Sequence, residues 1–263
     1  AMALAYRGIP GILVEKRDRL GGLVNDFYSV YPNGQKSSEF LENQIREIKK
    51  HPNIELFLRA EILKVQGKAG SRNIRLRING YIEDISVGAI IVSTGSAELK
   101  PLTKWGYDGR ITLTCLELEG LLLRDQIKAK SVAILMCGFM DQFGCSRICC
   151  LSSIKNAILI KVRYPETEVH LIFREILTQY QRDLKKARSL GINLIRDTPE
   201  QLHNIQVGEI IVLDQLTGAE QTVPYDLLVI ASPLIPHEGS KTIAGLLKIK
   251  TEISTPPQLQ SNL

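Results

Sequence analysis

The sequence predicts an α/β protein built from two nucleotide-binding-type halves, with parallel sheets, helical layers and β-meanders. From residue 131 to residue 196, apolar strand-like runs alternate with amphipathic helical stretches, the order typical of a parallel sheet. An apolar strand with a tight exit also occurs twice, at 89–95 and at 226–232, which indicates a weak internal duplication. The fold class follows from these two observations.

The first half has the pattern of the middle of a dinucleotide-binding unit. Residues 1–7 read as the end of a helix, and residues 11–15 read as a strand that ends in the acid Glu15. In a βαβ unit, the acid at the end of the second strand binds the ribose hydroxyls of the adenosine half, so Glu15 is a candidate ribose ligand. Gly21 and Gly22 follow, and paired glycines let a backbone approach a phosphate or a flavin closely, although an ordinary turn uses them too.

The remaining elements of the first half fit a flavoprotein. The sequence predicts a helix capped by Ser37 or Ser38 that ends before His51, short strands within 54–65, an alternating strand at 74–78 and a buried strand at 89–95. Helix, meander and returning strand in this order are typical of an FAD domain.

The second half repeats the pattern of alternating strands and helices, but its first turn contains cysteines. Predicted strands lie at 131–137, 168–173, 193–196 and 226–232, predicted helices run from the cysteines to Tyr164 and over 180–190, and a hairpin joins 207–213 to 221–223 across Thr217 and Gly218. A nicotinamide dinucleotide would need a glycine-rich turn after the first of these strands, and cysteines occupy that turn instead. The predicted domains are 1–125 for FAD without its glycine-rich loop, 126–230 with the cysteines, and 231–263 as a truncated return segment.

Four of the five cysteines, Cys137, Cys145, Cys149 and Cys150, fall in one short segment. Cys137 closes a predicted strand, and the other three are expected to open a helix, with Cys145 and Cys149 one turn apart on one face. The helix macrodipole and free N–H groups favour thiolates at a helix N-terminus. Soft sulfur ligands without a nearby histidine favour an iron–sulfur cluster.

Other interpretations of the cysteines remain open at this point. They are core residues or redox-active thiols, a zinc site, and disulfides. A zinc site usually shows paired cysteine spacing, which the adjacent Cys-Cys pair fits poorly. An odd total of five cysteines and no visible secretory signal oppose a disulfide framework and suggest a cytoplasmic protein. Cys115 stands apart from the others and is interpreted as a buried apolar residue.

Composition narrows the classes of partner. The net charge of +5 is spread along 263 residues, and no patch interleaves Lys or Arg with aromatic residues, which argues against nucleic acid. No apolar run reaches the roughly 20 residues that a transmembrane segment needs. A basic surface that docks an acidic protein remains possible.

The cysteine segment carries a specific resemblance. From Lys130 to Lys161, with C-S-R-I-C-C at 145–150, it resembles HdrA, the flavin subunit of heterodisulfide reductase, and its bacterial relatives, the short HdrA-like subunits of sulfur oxidation and the quinone-interacting oxidoreductase of sulfate reducers. Five further stretches also look like that family, so the match covers most of the chain. They are residues 13–16, 21–22, 51–55, 92–95 and 164–169. The C-S-R-x-C-C motif is distinctive, whereas a lone T-G strand exit is common.

The resemblance implies a thioredoxin-reductase-like fold that holds FAD beside a [4Fe–4S] cluster. The cluster ligands implied are Cys137, Cys145, Cys149 and Cys150. The FAD contacts implied are Glu15 at the ribose, Lys16 next to it without an assigned contact, Gly21 and Gly22 at the neighbouring cofactor surface, Ile62 at the adenine, and Thr94 and Gly95 near the pyrophosphate.

The same resemblance implies an oxidoreductase subunit that passes electrons between FAD and the cluster in sulfur or disulfide metabolism. Its partners would be other heterodisulfide-reductase-like subunits with their own iron–sulfur centres, in a larger complex that contains a homodimer. The alternatives are a pyridine-nucleotide-dependent flavin disulfide reductase and a non-catalytic scaffold subunit. The amino-terminal glycine-rich loop, the carboxy-terminal flavin segment and the ferredoxin inserts are not in the sequence, and Ser232 replaces a glycine. The chain is therefore expected to be part of a longer protein.

Overall fold

The structure, a computed structural model, describes residues 1–102, 104–146, 148–176, 181–197, 205–215 and 217–250. By backbone contacts the chain forms two compact units. The first unit contains Ala1–Asn25, Gln35–Ala97 and the described part of Pro236–Thr255; the second contains Asp26–Gly34 and the described parts of Glu98–Ile235. The domains predicted from cofactor binding, with boundaries after residues 125 and 230, stay a prediction.

The helices and strands follow one another in a mixed order. In the amino-terminal part they are α1 (Met2–Ala5), β1 (Gly11–Val14), a 3₁₀ helix (Gly22–Asp26), α2 (Ser37–Lys50), β2 (Ile54–Phe57), β3 (Ala60–Lys68), β4 (Ser71–Ile78), β5 (Tyr81–Val87) and β6 (Ser96–Glu98). They continue with β7 (Thr112–Thr114), α3 (Cys115–Leu123), β8 (Ser131–Leu135), α4 (Met140–Phe143), α5 (Ile148–Arg163), β9 (Glu168–Phe173), α6 (Gln181–Ser189) and β10 (Asn193–Arg196). The last are β11 (Ile205–Gln206), β12 (Glu209–Leu213), β13 (Glu220–Pro224), β14 (Leu227–Ile230), β15 (Leu234–Pro236) and α7 (Glu238–Leu247).

The first unit contains a parallel strand pair and an antiparallel meander. Strand β1 pairs with β2, Gly11 opposite Ile54, and β3, β4 and β5 pair in sequence order. Ile74 and Leu76 of β4 are buried while Arg75 and Arg77 are exposed, so the predicted alternation is confirmed. Helix α7 packs against β3 and completes this unit.

Two predictions for the first unit are wrong. Helix α2 begins at Ser37, with Lys36 as its cap residue and no side-chain cap, so Ser37 and Ser38 lie inside the first turn. Residues 89–95 form no strand, and the Ile91 side chain is 71% exposed. A strand needs a hydrogen-bonded neighbour, and none of the described strands pairs with residues 89–95. The apolar run therefore stays irregular.

The second unit is built on a five-stranded parallel sheet in the order β10-β9-β8-β14-β7. This order matches the dinucleotide-binding type, in which the first strand lies in the middle and the second and third follow on one side. Helix α5 packs on β9 and contacts α3 and α6. The predicted alternation of strands and helices is confirmed, and the predicted strand at 168–173 coincides with β9.

Apolar side chains of the central strands alternate between two cores. Val132 and Ile134 face α3, α5 and α6, whereas Ala133 and Leu135 face the meander of β11, β12 and β13. The predicted hairpin is confirmed as β12 and β13, which begins at Glu209 because Val207 lies in a preceding exposed turn. No helix in the described ranges is long and apolar enough to cross a bilayer.

Candidate functional site

Cys137 sits where the chain leaves the central strand of the sheet. The Met136 amide still donates to Ile172 O at 2.8 Å, and Cys137 then adopts a left-handed conformation with φ of 63°. Such a φ is uncommon for a residue with a Cβ, and it turns the chain sharply out of the sheet. Gly138 follows under Trp105, and a Cβ on Gly138 would lie 2.9 Å from the indole ring. The turn therefore depends on a glycine at this position.

The loop from Gly138 to the next helix carries Cys145. It contains the short helix α4 and then Gly144, with φ of 70°, and Cys145 is exposed in irregular chain before α5 begins at Ile148. The prediction that Cys145 and Cys149 stack on one helical face is wrong, since only Cys149 and Cys150 lie in the first turn. The reason is local, because the turn at Gly144 delays the helix and Ser146 Oγ accepts from the Cys149 amide at 3.4 Å.

The four thiols nevertheless share one neighbourhood. Cys137, Cys145 and Cys149 line one small pocket that opens to solvent, with Phe139 and Pro233 among its apolar walls. Cys150 is 1% exposed on the inner side of α5, and its Sγ lies 3.9 Å from the Glu175 carbonyl oxygen, which the Cys137 Sγ also approaches at 3.5 Å. Within the described residues, no three His, Cys, Asp or Glu side chains form a ready-made metal-binding group.

The cysteine thiols of the pocket differ in pKa. A hydrogen bond from Cys150, helped by Ser146 and by helix N–H groups, lowers the pKa of Cys149 to about 6 against the effect of burial. Burial raises the pKa of Cys137, and the neighbouring Cys149 and Cys145 add to that increase. The ionised form of a thiol is the one that binds metals and acts as a nucleophile. Cys149 is therefore the thiol of the pocket best prepared to act as a ligand.

The donor set fits an iron–sulfur cluster better than zinc. Three of the four cysteines line one pocket, the Cys150 thiol approaches the same carbonyl oxygen as the Cys137 thiol, and no histidine is among the described residues that line the pocket. Iron–sulfur clusters are held by cysteine thiolates. Apolar residues around a cluster, such as Phe139 and Pro233 here, contribute to setting its reduction potential.

Cys115 lies apart from the pocket. It is the first residue of α3, it is buried as predicted, and its Sγ lies 3.8 Å from Ser153 Oγ. Burial raises the pKa of its thiol far above the ordinary value, which keeps it protonated and unsuited to bind a metal.

We expect Cys115→Ala to leave iron content and the visible spectrum unchanged, because the thiol is buried in the core and does not line the pocket. The measurement is the absorption spectrum with iron and sulfide analysis of the anaerobically purified variant beside the unmodified protein. Loss of the cluster in this variant would mean that the ligand assignment is wrong.

The residues predicted to bind FAD lie in the first unit, and several of them are neighbours. The Glu15 carbonyl accepts from the Ala60 amide at 3.0 Å, and Lys16 pairs with Glu61 at 2.8 Å. Ile62 follows, at a β-bulge where the pairing of β3 with β4 shifts by one residue. The structure therefore brings Glu15 and Lys16 next to the strand that carries Ile62. The Glu15 carboxylate accepts from the Arg17 amide at 2.8 Å, which orients it at the strand end.

The glycine pair has two different environments. Gly21 has φ of 114°, and a Cβ there would lie 2.6 Å from Asn25 Nδ2 and 2.9 Å from a Leu41 methyl group. Gly22 has φ of 51°, and a Cβ there would meet nothing within 4 Å. Gly21 is thus required by packing inside the protein, whereas Gly22 leaves open space in front of its backbone.

Thr94 and Gly95 are exposed at the end of the irregular segment 89–95. Thr94 Oγ1 lies 2.7 Å from Ser240 Oγ of α7, and Gly95 has φ of 73°. The tight glycine exit is therefore present without the buried strand that was expected to precede it.

Sequence reasoning missed an ion pair that reaches the cysteine loop. Arg174, immediately after β9, binds Asp141 of α4 through both carboxylate oxygens, at 2.8 and 3.2 Å. The only sequence signal is the position of Arg174 at the end of the second strand of the unit. A residue there usually binds the ribose or its phosphate in dinucleotide-binding proteins.

Comparisons of the whole chain with known proteins agree with the resemblance of the cysteine segment to the HdrA family. No family model matches the chain. The HdrA subunit of the H2:CoB-CoM heterodisulfide, ferredoxin reductase of Methanothermobacter marburgensis is 26% identical, over 92% of this chain and 52% of the relative. An HdrA iron–sulfur subunit of the CoB–CoM heterodisulfide reductase of Methanopyrus kandleri is 22% identical, over 95% of this chain and 54% of the relative. The chain thus spans about half the length of the curated relatives that it matches.

Solved structures confirm the predicted fold. Thioredoxin reductase from T. acidophilum superposes with a TM-score of 0.56 at 17% identity, over 90% of this chain and 73% of that one. Thioredoxin reductase from Lactococcus lactis superposes with a TM-score of 0.54 at 14% identity, with the same shares of the two chains. The protein has a thioredoxin-reductase-like α/β fold.

Proposed function

Since the chain is a remote relative of the HdrA subunits of heterodisulfide reductases, we propose that it is an electron-transfer flavo-iron–sulfur subunit of a heterodisulfide-reductase-like complex. It would pass electrons between FAD and a [4Fe–4S] cluster in sulfur or disulfide metabolism. The observation that carries the proposal is the pocket at the strand-to-helix turn after β8, which is lined by Cys137, Cys145 and Cys149 and has the Cys150 thiol near that of Cys137. The name of the Methanopyrus relative, an iron–sulfur subunit, supports the same assignment.

Each cofactor has a proposed set of holding residues. The cluster ligands are Cys137, Cys145, Cys149 and Cys150. The FAD contacts are Glu15, Lys16, Gly21, Gly22, Ile62, Thr94 and Gly95. Among these contacts, Glu15 presents a fixed carboxylate at a strand end, and Gly22 presents open backbone.

The chain's own residues set the conditions of electron transfer. The low pKa of Cys149 supplies a thiolate near neutral pH, and Phe139 and Pro233 give the pocket part of its apolar lining. When bound, FAD supplies two-electron chemistry and the cluster supplies one-electron transfer, while the protein sets distance and potential. The partners are subunits with their own iron–sulfur centres, and a homodimer within the complex belongs to the proposal.

The proposal is tested by cofactor analysis of protein purified under anaerobic conditions and reconstituted with iron, sulfide and FAD. We expect a broad visible absorption that dithionite bleaches, with iron, sulfide and flavin bound. Protein that takes up neither iron nor sulfide would contradict the proposal. Binding of zinc in preference to iron would assign the pocket to a structural metal.

We expect neither NADH nor NADPH to reduce the flavin of the isolated protein at a useful rate. A nicotinamide dinucleotide needs free backbone N–H groups at a glycine-rich turn after β8, where this chain has the cysteine loop. The residues after β9 that would face its ribose are engaged as well, Arg174 by Asp141 and Glu175 by Arg196. Anaerobic stopped-flow absorption of protein carrying FAD tests this, with dithionite as the positive control. Rapid bleaching by stoichiometric NADH would restore the pyridine-nucleotide-dependent reductase.

A further inference from the structure

We propose that Arg174 is a positioning residue for the cysteine pocket, which it serves by holding the loop between Cys137 and Cys145 through Asp141. The inference rests on the proposed function, because it takes the pocket as the place of the cluster. It adds a residue that belongs to neither the cysteine motif nor the flavin surface.

The ion pair joins the sheet to the middle of the loop. Asp141 lies in α4, between Cys137 and Cys145, and Arg174 extends the end of β9. The Arg174 side chain is 10% exposed and that of Asp141 is 75% exposed, so an enclosed guanidinium binds a carboxylate on the solvent side. A guanidinium that binds both oxygens fixes the direction of the carboxylate as well as its distance. The ion pair therefore restrains α4 more firmly than a single contact would.

The same short segment also touches the thiols at both ends of the motif. The Glu175 carbonyl oxygen lies 3.5 Å from Cys137 Sγ and 3.9 Å from Cys150 Sγ. Arg196 of β10 holds this segment in place, donating from Nε to the Arg174 carbonyl at 3.1 Å and from Nη2 to Glu175 Oε1 at 2.6 Å. Residues 174 and 175 thus connect Cys137, helix α4 and Cys150 to the parallel sheet.

The opposite charges of Arg174 and Asp141 predict an effect on the reduction potential of the cluster. A role in fold stability alone does not predict this effect. Removing the Arg174 cation disfavours the addition of an electron nearby, whereas removing the Asp141 anion favours it. Both changes free the loop. The two variants should therefore lose the cluster at similar rates and shift its reduction potential in opposite directions.

The experiment compares Arg174→Gln, Asp141→Asn and the double variant after anaerobic reconstitution. We expect each single variant to lose iron to a chelator about tenfold faster than the unmodified protein, the usual cost of removing support behind metal ligands. The double variant should add little, because both changes break one interaction. A redox titration should show a lower potential for Arg174→Gln and a higher one for Asp141→Asn. Arg75→Gln, which breaks the exposed two-oxygen pair with Asp84, is the matched control and should change nothing.

Several results would overturn the proposal. Retention of the cluster in Arg174→Gln as in the unmodified protein is one, and an effect of Arg174→Gln without an effect of Asp141→Asn is another. If the unmodified protein takes up no cluster, the proposed function fails, and the role of Arg174 is then read from the metal-free protein. Alkylation of the half-buried Cys137, followed by peptide mass spectrometry, should accelerate in both single variants, and unchanged rates would reject the role.

Discussion

Cys149→Ser should lower the iron and sulfide content of the reconstituted protein about tenfold or more, since residues that merely support ligands already cost about 10–100-fold in metal affinity. Cys149 faces the pocket and is the thiol with the lowered pKa. It lies in the first turn of α5, where a serine is tolerated, so helix content by circular dichroism should not change. Iron and sulfide per chain are the measurements.

Cys149 is a better position for this test than Cys150. Cys150 is 1% exposed within the core formed by α3, α5 and the sheet, so a serine there would also bury a hydroxyl group. Loss of iron in Cys150→Ser is expected too, with some loss of stability. Cys115→Ala serves as the control for removing a thiol outside the pocket. Normal iron and sulfide in both serine variants would reject the cluster.

Lys155→Met should reduce the free energy of unfolding by about 3–5 kcal/mol, the usual result of removing one partner of a buried ion pair. Lys155 Nζ pairs with Glu119 and also donates to the Ser29 carbonyl at 2.9 Å. The exposed fractions of the two charged side chains are 12% and 3%. The substitution leaves the Glu119 carboxylate enclosed, with the Tyr28 amide as its remaining hydrogen-bond donor among those described.

Guanidinium unfolding followed by circular dichroism measures this effect. Lys155→Met with Glu119→Leu should recover much of the lost stability, because the second change removes the buried charge left alone. Arg75→Gln, at an exposed pair, should leave the midpoint unchanged. A midpoint for Lys155→Met equal to that of the Arg75 variant would show that the buried pair contributes nothing to stability.

Local patterns predicted the second unit well. The alternation around β9, β10, β12 and β14 placed those strands within about two residues, since each is a short apolar run between turn residues. The same reasoning predicted a strand at 89–95, where the structure has none. Apolar residues make a strand possible, but only a neighbouring strand with free N–H and C=O groups makes it form.

The candidate site divides in the same way. The sequence by itself determined that four thiols belong to the turn after β8, because the spacing of the cysteines and the adjacent apolar strand are both local. Only the structure showed that Cys145 lies outside α5, because the turn at Gly144 and the hydrogen bond that Ser146 accepts from the Cys149 amide delay the helix, a local effect that the spacing of apolar residues does not report. It alone paired Arg174 with Asp141 and Lys155 with Glu119, across separations of 33 and 36 residues. Such contacts depend on how the elements pack against one another, and local periodicity carries no information about that packing.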